Sequence, residues 1–168
     1  MTAQQIINDS RVLHIRELKT ENARLKAENA ALRDENAQLN AHFGLALTAA
    51  RDLETLPEGG KLVIVDGWNM ILGAKKIARD KDELLVKAKT YVAEHPQDSV
   101  WIVYDGPRFA ATTEGRIRVS YTGGTGEHRA DKFICDFLRM ARLRGDLGRI
   151  EVRTYDKDFL RDISRIRS

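Results

Sequence analysis

Three short apolar runs rich in β-branched and aromatic residues each give way to an aspartate within two positions. Residues 61–65 (Lys-Leu-Val-Ile-Val) lead into Asp66-Gly67-Trp68-Asn69, and residues 100–104 (Val-Trp-Ile-Val-Tyr) lead into Asp105-Gly106. Residues 150–154 (Ile-Glu-Val-Arg-Thr) lead through Tyr155 into Asp156-Lys157-Asp158. Short apolar runs closed by turn-forming residues read as strands. The stretches between them carry apolar residues at helical spacing, and strands alternating with helices specify an α/β domain with a mainly parallel sheet and right-handed crossovers. The carboxyl ends of such strands share one rim, so the aspartates that follow them converge on one crevice.

The finer pattern predicts a helix over 69–76 and a second on the stripe Leu84, Leu85, Ala88, Tyr91 and Val92, closed by His95-Pro96. Residues 116–121 alternate with period two and read as a strand, followed by a flexible loop at 122–126. A helix over 127–144 presents Ala130, Phe133, Ile134, Phe137, Leu138 and Ala141 on one face and places Asp131 in its first turn. A closing helix covers 159–166.

The first third has a different period. Leu18, Leu25, Leu32 and Leu39 recur every seven residues, with Ile15, Asn22, Asn29, Asn36 and Phe43 at the other seam position. The flanking positions hold Glu21, Glu28 and Glu35 on one side and Lys19, Lys26 and Arg33 on the other. In a parallel pair Glu21 and Glu28 face Lys26 and Arg33 of the partner subunit, which predicts a two-stranded homodimer. Asparagine at three successive seam positions fixes register and costs stability. The alternatives are a solitary helix packed on the domain, or a zipper for a different protein. Only Arg11 and Arg16 precede the repeat as basic residues, which argues against a DNA-reading basic zipper. The expected organisation is a coiled-coil helix over 1–56 with heptads over about 11–46, a hinge at 57–60 (Pro-Glu-Gly-Gly), and a globular domain over 61–168.

Composition narrows the class. Hydrophobic residues make up 42% and charged residues 32%, which suits a soluble chain with a core. No apolar run approaches the roughly 20 residues of a membrane span, and the N-terminus lacks a signal-peptide pattern. The single cysteine, Cys135, fits a reducing cytoplasm and a core thiol beside Phe133, Ile134 and Phe137. Residues 1–60 carry 7 Lys+Arg against 9 Asp+Glu, and residues 61–168 carry 21 against 16. The excess is late, in Arg139, Arg142, Arg144, Arg149, Arg153, Arg161, Arg165 and Arg167. A basic rim around an acidic centre suits a polyanion; solvated helix faces explain the same charges.

Each acidic residue also has a local explanation. Asp66 and Asn69 can cap the following helix, Asp105 with Gly106-Pro107 is ordinary turn chemistry, and Asp131 is favoured by a helix dipole. Glu127 can reach the same rim or cap, and Asp158 can be the N-cap of the last helix beside Asp156. Their joint placement at one end of a sheet is what points to a hard cation, Mg²⁺ or Mn²⁺. Other chemistries lack their residues. The stretch Thr122-Gly-Gly-Thr-Gly-Glu-His-Arg has no Gly-Lys-Ser/Thr ending for a P-loop. His95 and His128 stand alone and argue against zinc, and there is no Gly-x-Ser-x-Gly elbow. Trp68 and Tyr104 flank the crevice and can stack on bases or pack the core.

With these residues in place, the sequence resembles the NYN domains of the PIN-like nuclease superfamily, nearest the YacP-like ribonuclease branch. The resemblance covers about residues 61–160 and rests on Val-Asp66-Gly-Trp-Asn69-Met-Ile, Val-Tyr-Asp105-Gly, Arg-Ala-Asp131-Lys-Phe-Ile and Thr-Tyr-Asp156-Lys-Asp158-Phe-Leu. It implies a three-layer α/β/α fold and a Mg²⁺- or Mn²⁺-dependent ribonuclease. Asp66, Asp105, Asp131 and Asp156 would hold metal, and Asn69 and Asp158 would support them. From charge, Arg129, Lys132 and Arg153, with the other late arginines, would hold the RNA backbone. Two departures stand out: Tyr155 occupies a position where a small residue is usual, and the further strand expected after the closing helix does not follow within this sequence. A second reading keeps the fold and RNA binding without catalysis, with the zipper recruiting a partner. A Toprim-like site ranks last, because it would begin with a glutamate where this chain has Asp66.

Overall fold

The structure, a computed structural model, describes residues 3–124 and 128–168. The chain divides into two compact units, Met1–Asn40 and Ala41–Ser168, and the long helix α1 (Ala3–Thr55) runs through the division. No helix among the described residues is long and apolar enough to cross a membrane.

In the first unit the seam leucines lie about half open to solvent. Leu18, Leu25, Leu32 and Leu39 are 56%, 44%, 50% and 57% exposed. The Asn29 side-chain amide donates to the Leu25 carbonyl at 3.0 Å, and Arg24 bridges Glu21 and Glu28 along the helix.

The second unit is built on a five-stranded sheet in the order β3-β4-β2-β1-β5. Its strands are β1 (Leu62–Asp66), β2 (Ser99–Tyr104), β3 (Phe109–Glu114), β4 (Ile117–Thr122) and β5 (Ile150–Arg153). β1 pairs in parallel with β2 and β5, and β2 in parallel with β4. The sheet is therefore mostly parallel, as the alternation of elements predicts. β3 is the exception, an antiparallel edge strand against β4. The sequence gives no sign of it: Phe-Ala-Ala-Thr-Thr-Glu holds one large apolar residue, and five of its six positions are exposed, so the burial that produces a period of two is missing.

The helices α2 (Gly67–Leu72), α3 (Lys81–Glu94), α4 (Arg129–Arg144) and α5 (Lys157–Arg167) complete the domain. α2 is shorter than the predicted 69–76. The chain turns extended at Gly73, whose N–H closes the helix on the Asn69 carbonyl, and a Cβ there would lie 2.3 Å from that oxygen.

Alternate residues of β1 feed two separate cores, as the pleat requires. Leu62 and Ile64 join α4, α5 and the end of α1, while Val63 and Val65 join α2 and α3. Trp101 is the largest side chain of the first core. It meets Phe133 and Phe137 edge to face at 5.4 and 5.3 Å, and its indole N–H donates to Ser120 at 2.8 Å. Cys135 is buried, as expected of a core thiol.

The last turns of α1 belong to this core rather than to a free stalk. Ala49, Ala50 and Leu53 are at most 1% exposed. Asp52 pairs with the buried Arg118 of β4 at 2.6 Å. Arg149 donates to the carbonyls of Leu53, Leu56 and Pro57 and more distantly to Gly60, pinning the 57–60 turn.

Candidate functional site

β1 is an interior strand, with β2, β4 and β3 on one side and the edge strand β5 on the other. The helices after β1 pack on one face of the sheet and the helix after β5 packs on the other, so a crevice opens at their carboxyl ends, where open α/β sheets bind ligands. Asp66 is the last residue of β1 and is 7% exposed. Its Oδ1 accepts the Asn69 N–H at 3.2 Å, and its Oδ2 accepts the Thr154 hydroxyl at 3.2 Å. Asn69 in turn accepts the Tyr155 N–H at 2.6 Å. β1 and β5 are thus laced together at the rim.

Three of the four predicted carboxylates hold helix N-termini. Asp66 caps α2. Asp105 reaches across to accept the Ala130 N–H of α4 at 2.6 Å and the Thr122 hydroxyl at 3.2 Å. Asp156 caps α5, accepting from Asp158 N at 2.8 Å and Phe159 N at 3.1 Å. The cap of α5 is therefore Asp156, not Asp158. Asp158 is 86% exposed and pairs with Arg161 at 3.1 Å, turned to solvent in the first helical turn. Asp131 lies in the first turn of α4, half-buried, with His128 Nδ1 3.2 Å from its Oδ2. Glu127 lies outside the described residues. Among the described residues no bond is made to Oδ2 of Asp105 or of Asp156.

These carboxylates feel one another. Asp66 is pushed up to about 6, chiefly by burial. The charges of Asp131 and Asp105 add to the rise, while the Asn69 N–H and the Thr154 hydroxyl oppose it. Asp131 is also raised, first by burial, then by Asp156 and Asp105 against the pull of His128. Burial together with neighbouring like charge raises carboxylates in this way at functional sites.

The donor set suits a hard divalent cation in its chemistry: all oxygen, with negative charge in excess. Its geometry is looser, for among the described residues no three acidic, histidine or cysteine side chains close on one point in the manner of a preformed metal centre. Such a rim fits an ion that keeps part of its water and takes one or two direct carboxylates, as Mg²⁺ does.

The late arginines do not form the basic rim expected of them. Parallel strands collect helix C-termini at the opposite end of the sheet, and there Arg142, Arg149 and Arg167 meet backbone carbonyls, whereas Arg153 ends β5 on the carboxylate side. Arg149 clamps the end of α1, Arg142 donates to Ile166 O at 2.8 Å, and Arg167 donates to Ile150 O at 2.6 Å. Arg144 pairs with Glu54 and Asp146, Arg139 with Asp136, and Arg165 with Asp162. Arg153 pairs with Glu151 at 2.8 Å and lies over the Tyr91 ring. Positive charge on the carboxylate side comes instead from Lys75, Lys76, Arg108, Arg129, Lys132 and Lys157, in the segments that follow the strands' carboxyl ends.

Two neighbours of the site are not singled out by the sequence. Thr154 is legible only as the end of a predicted strand. Lys81 stands against Trp68, Tyr104 and Tyr121, with ring centroids 4.6, 5.1 and 4.7 Å from its Nζ; no spacing signals that convergence. Tyr104 is 1% exposed and packs the core, whereas Trp68 is half-buried and donates to the Asp105 carbonyl at 2.8 Å. Gly67 makes room for this packing, since a Cβ there would fall 2.2 Å from the Tyr104 ring. No protein-family model, curated protein or solved structure matches the chain.

Proposed function

We propose that the chain is a metal-dependent endoribonuclease of PIN-like type, with Asp66, Asp105, Asp131 and Asp156 as its carboxylates and a parallel coiled coil as its dimer contact. The observation that carries this reading is Asp66. A carboxylate at the end of the interior strand β1 is lifted to about 6, first by burial and then by the neighbouring charges of Asp131 and Asp105, a cost to folding that a purely structural cap would avoid by being exposed. Strand order, helices on both faces of the sheet and the rim position of the acids support the PIN-like assignment.

Asp66 and Asp131, the two acids whose pKa values are raised, would hold Mg²⁺ or Mn²⁺, with Asp105 and Asp156 adding charge through ordered water. When bound, such an ion supplies Lewis-acid stabilisation to charge on phosphoryl oxygens. The protein's own contribution is placement. Thr154 and the Asn69 N–H orient both oxygens of Asp66, Asn69 fixes the β5–α5 turn, and Asp105 ties α4 to β2 so that Asp131 faces the same crevice. Asp158 is left without a catalytic part.

A second reading, an RNA-binding adaptor without catalysis, is favoured by one observation: Asp66, Asp105 and Asp156 already satisfy helix N-termini, and no three acids close on one point. A nuclease assay over an RNA and DNA panel, with Mg²⁺ and Mn²⁺ titrations, separates the two. The ribonuclease reading expects RNA cleavage that excess EDTA and Asp66→Asn both abolish. Salt-sensitive RNA binding with no product in any divalent ion supports the adaptor, and robust cleavage in EDTA sinks the metal.

A further inference from the structure

One cation beside the carboxylate rim is held by rings rather than by acids. Lys81 opens α3, and its ammonium donates to the Tyr121 hydroxyl at 3.1 Å, its only hydrogen bond among the described residues. No carboxylate among them lies within ion-pair distance. Trp68, Tyr104 and Tyr121 surround it instead. The rings brace one another, Trp68 edge-on to Tyr104 and Tyr104 stacked on Tyr121, both at 5.3 Å.

An aromatic face attracts an ammonium without cancelling its charge, whereas a carboxylate would do both. An ammonium has three donors, and the Tyr121 hydroxyl takes one of them. The three rings also fix where that charge stands. Trp68 is two residues beyond Asp66, Tyr104 immediately precedes Asp105, and Tyr121 immediately precedes Thr122, which donates to Asp105. An unneutralised positive charge is therefore anchored through the backbone to the very segments that carry two of the acids, yet pairs with neither. That separation suits a ligand that brings its own negative charge to the edge of an acidic site.

We infer that Lys81 is a phosphate-binding residue for the nucleic-acid strand, contacting the non-bridging oxygens of a backbone phosphate next to the one at the carboxylates. This rests on the ribonuclease reading and adds the point at which the strand is gripped. The rings set the reach of the lysine; they do not read the base.

The test uses the full chain and a short single-stranded RNA, with binding followed by fluorescence anisotropy in EDTA across a KCl series, so that no cleavage enters. Lys81→Gln is expected to weaken binding about tenfold and to flatten the log Kd against log salt slope by about 0.7, the value for one lost phosphate contact on a single strand. Lys81→Arg is expected to restore both. Because Lys81 opens a helix, a measurement on the unsubstituted chain stands beside the variants. Bound RNA should protect Lys81, but not Lys19 or Lys26, from amine acylation read by mass spectrometry. Unchanged slope and affinity in a folded Lys81→Gln variant, or an unprotected Lys81, overturns the assignment while leaving RNA binding intact. Failure of the unsubstituted chain to bind RNA overturns this assignment and the nucleic-acid reading together.

Discussion

The Thr154 hydroxyl donates to Asp66 Oδ2 at 3.2 Å, so the residue just past β5 steadies the buried acid that ends β1. This bond holds the Asp66 pKa down against burial. Thr154→Val should therefore push that pKa above about 6 and move the acid limb of the cleavage profile to higher pH. Above that pH it should also cost about 1.5–3 kcal/mol of stability, from the loss of a hydrogen bond to a charged group and of the acceptor for the Asp156 N–H. Thr154→Ser should restore both. Carboxyl titration by NMR checks the first outcome, and an unmoved Asp66 pKa in the valine variant would contradict it.

Folding raises Asp66 from 3.8 to about 6, so the folded chain binds that proton more tightly than the unfolded chain. Stability accordingly falls as pH rises through this window, and the full cost is present above it. Asp66→Asn removes the cost and retains a side-chain oxygen able to cap α2. At about pH 7.5 it should stabilise the domain by up to about 3 kcal/mol, or roughly 6–12 °C in Tm, with the gain gone by about pH 4. Thermal melts at both pH values in EDTA measure it. A variant less stable than the parent at the higher pH would mean that Asp66 is there for structure alone.

A divalent cation should remove the same cost by another route. An ion that binds the folded rim at a hundred times its Kd stabilises by about 2.7 kcal/mol, and it should draw the Asp66 pKa below about 6 by opposing Asp131 and Asp105. MnCl₂ or MgCl₂ is thus expected to raise the Tm of the parent chain and leave Asp66→Asn nearly unmoved. Equal melting temperatures for the parent in EDTA and in saturating Mn²⁺ would remove the metal from the proposal.

The strand ends and their aspartates were legible in the sequence because both signals are local: a buried central strand is a continuous apolar run, and a residue at its end needs no tertiary knowledge. β3 was not legible, since an edge strand with five exposed residues carries neither period nor composition. The late arginines leave both a polyanion rim and a structural role open for a related reason. Charge in a sequence does not say which end of a sheet it occupies, and Arg142, Arg149 and Arg167 are spent on carbonyls at the end away from Asp66. Lys81 carries no local signal, because its three rings come from three separate segments that only the fold brings together.

Arg149 separates structural from nucleic-acid arginines in one variant. Its guanidinium serves the carbonyls of Leu53, Leu56 and Pro57 at the end of α1, where the last helical carbonyls lack intrahelical donors. Arg149→Leu should cost about 2–4 kcal/mol, because several charge-assisted bonds are lost together, and it should leave the salt dependence of RNA binding unchanged. Chemical denaturation and the KCl series read the two effects. A normal stability with a flattened salt slope would return Arg149 to the RNA surface.

The heptad seam gives the last test. Leu18, Leu25, Leu32 and Leu39 are 44–57% exposed in the single chain, and burying one such side chain is worth about 1.5–3 kcal/mol. Glu21 and Glu28 are held by Arg24 within the helix, but these exposed pairs are weak and can be exchanged for Lys26 and Arg33 of the partner subunit. The full chain is expected to sediment at twice its 19.0 kDa mass. Replacing Leu25 and Leu32 by glutamate puts like charges into the seam and should return it to one mass, with the Tm of the globular unit unchanged. The three asparagines keep the coil weak, so the dimer should dissociate on dilution while RNA binding by each domain persists. A parent chain that is monomeric at working concentration would assign the zipper to a different protein.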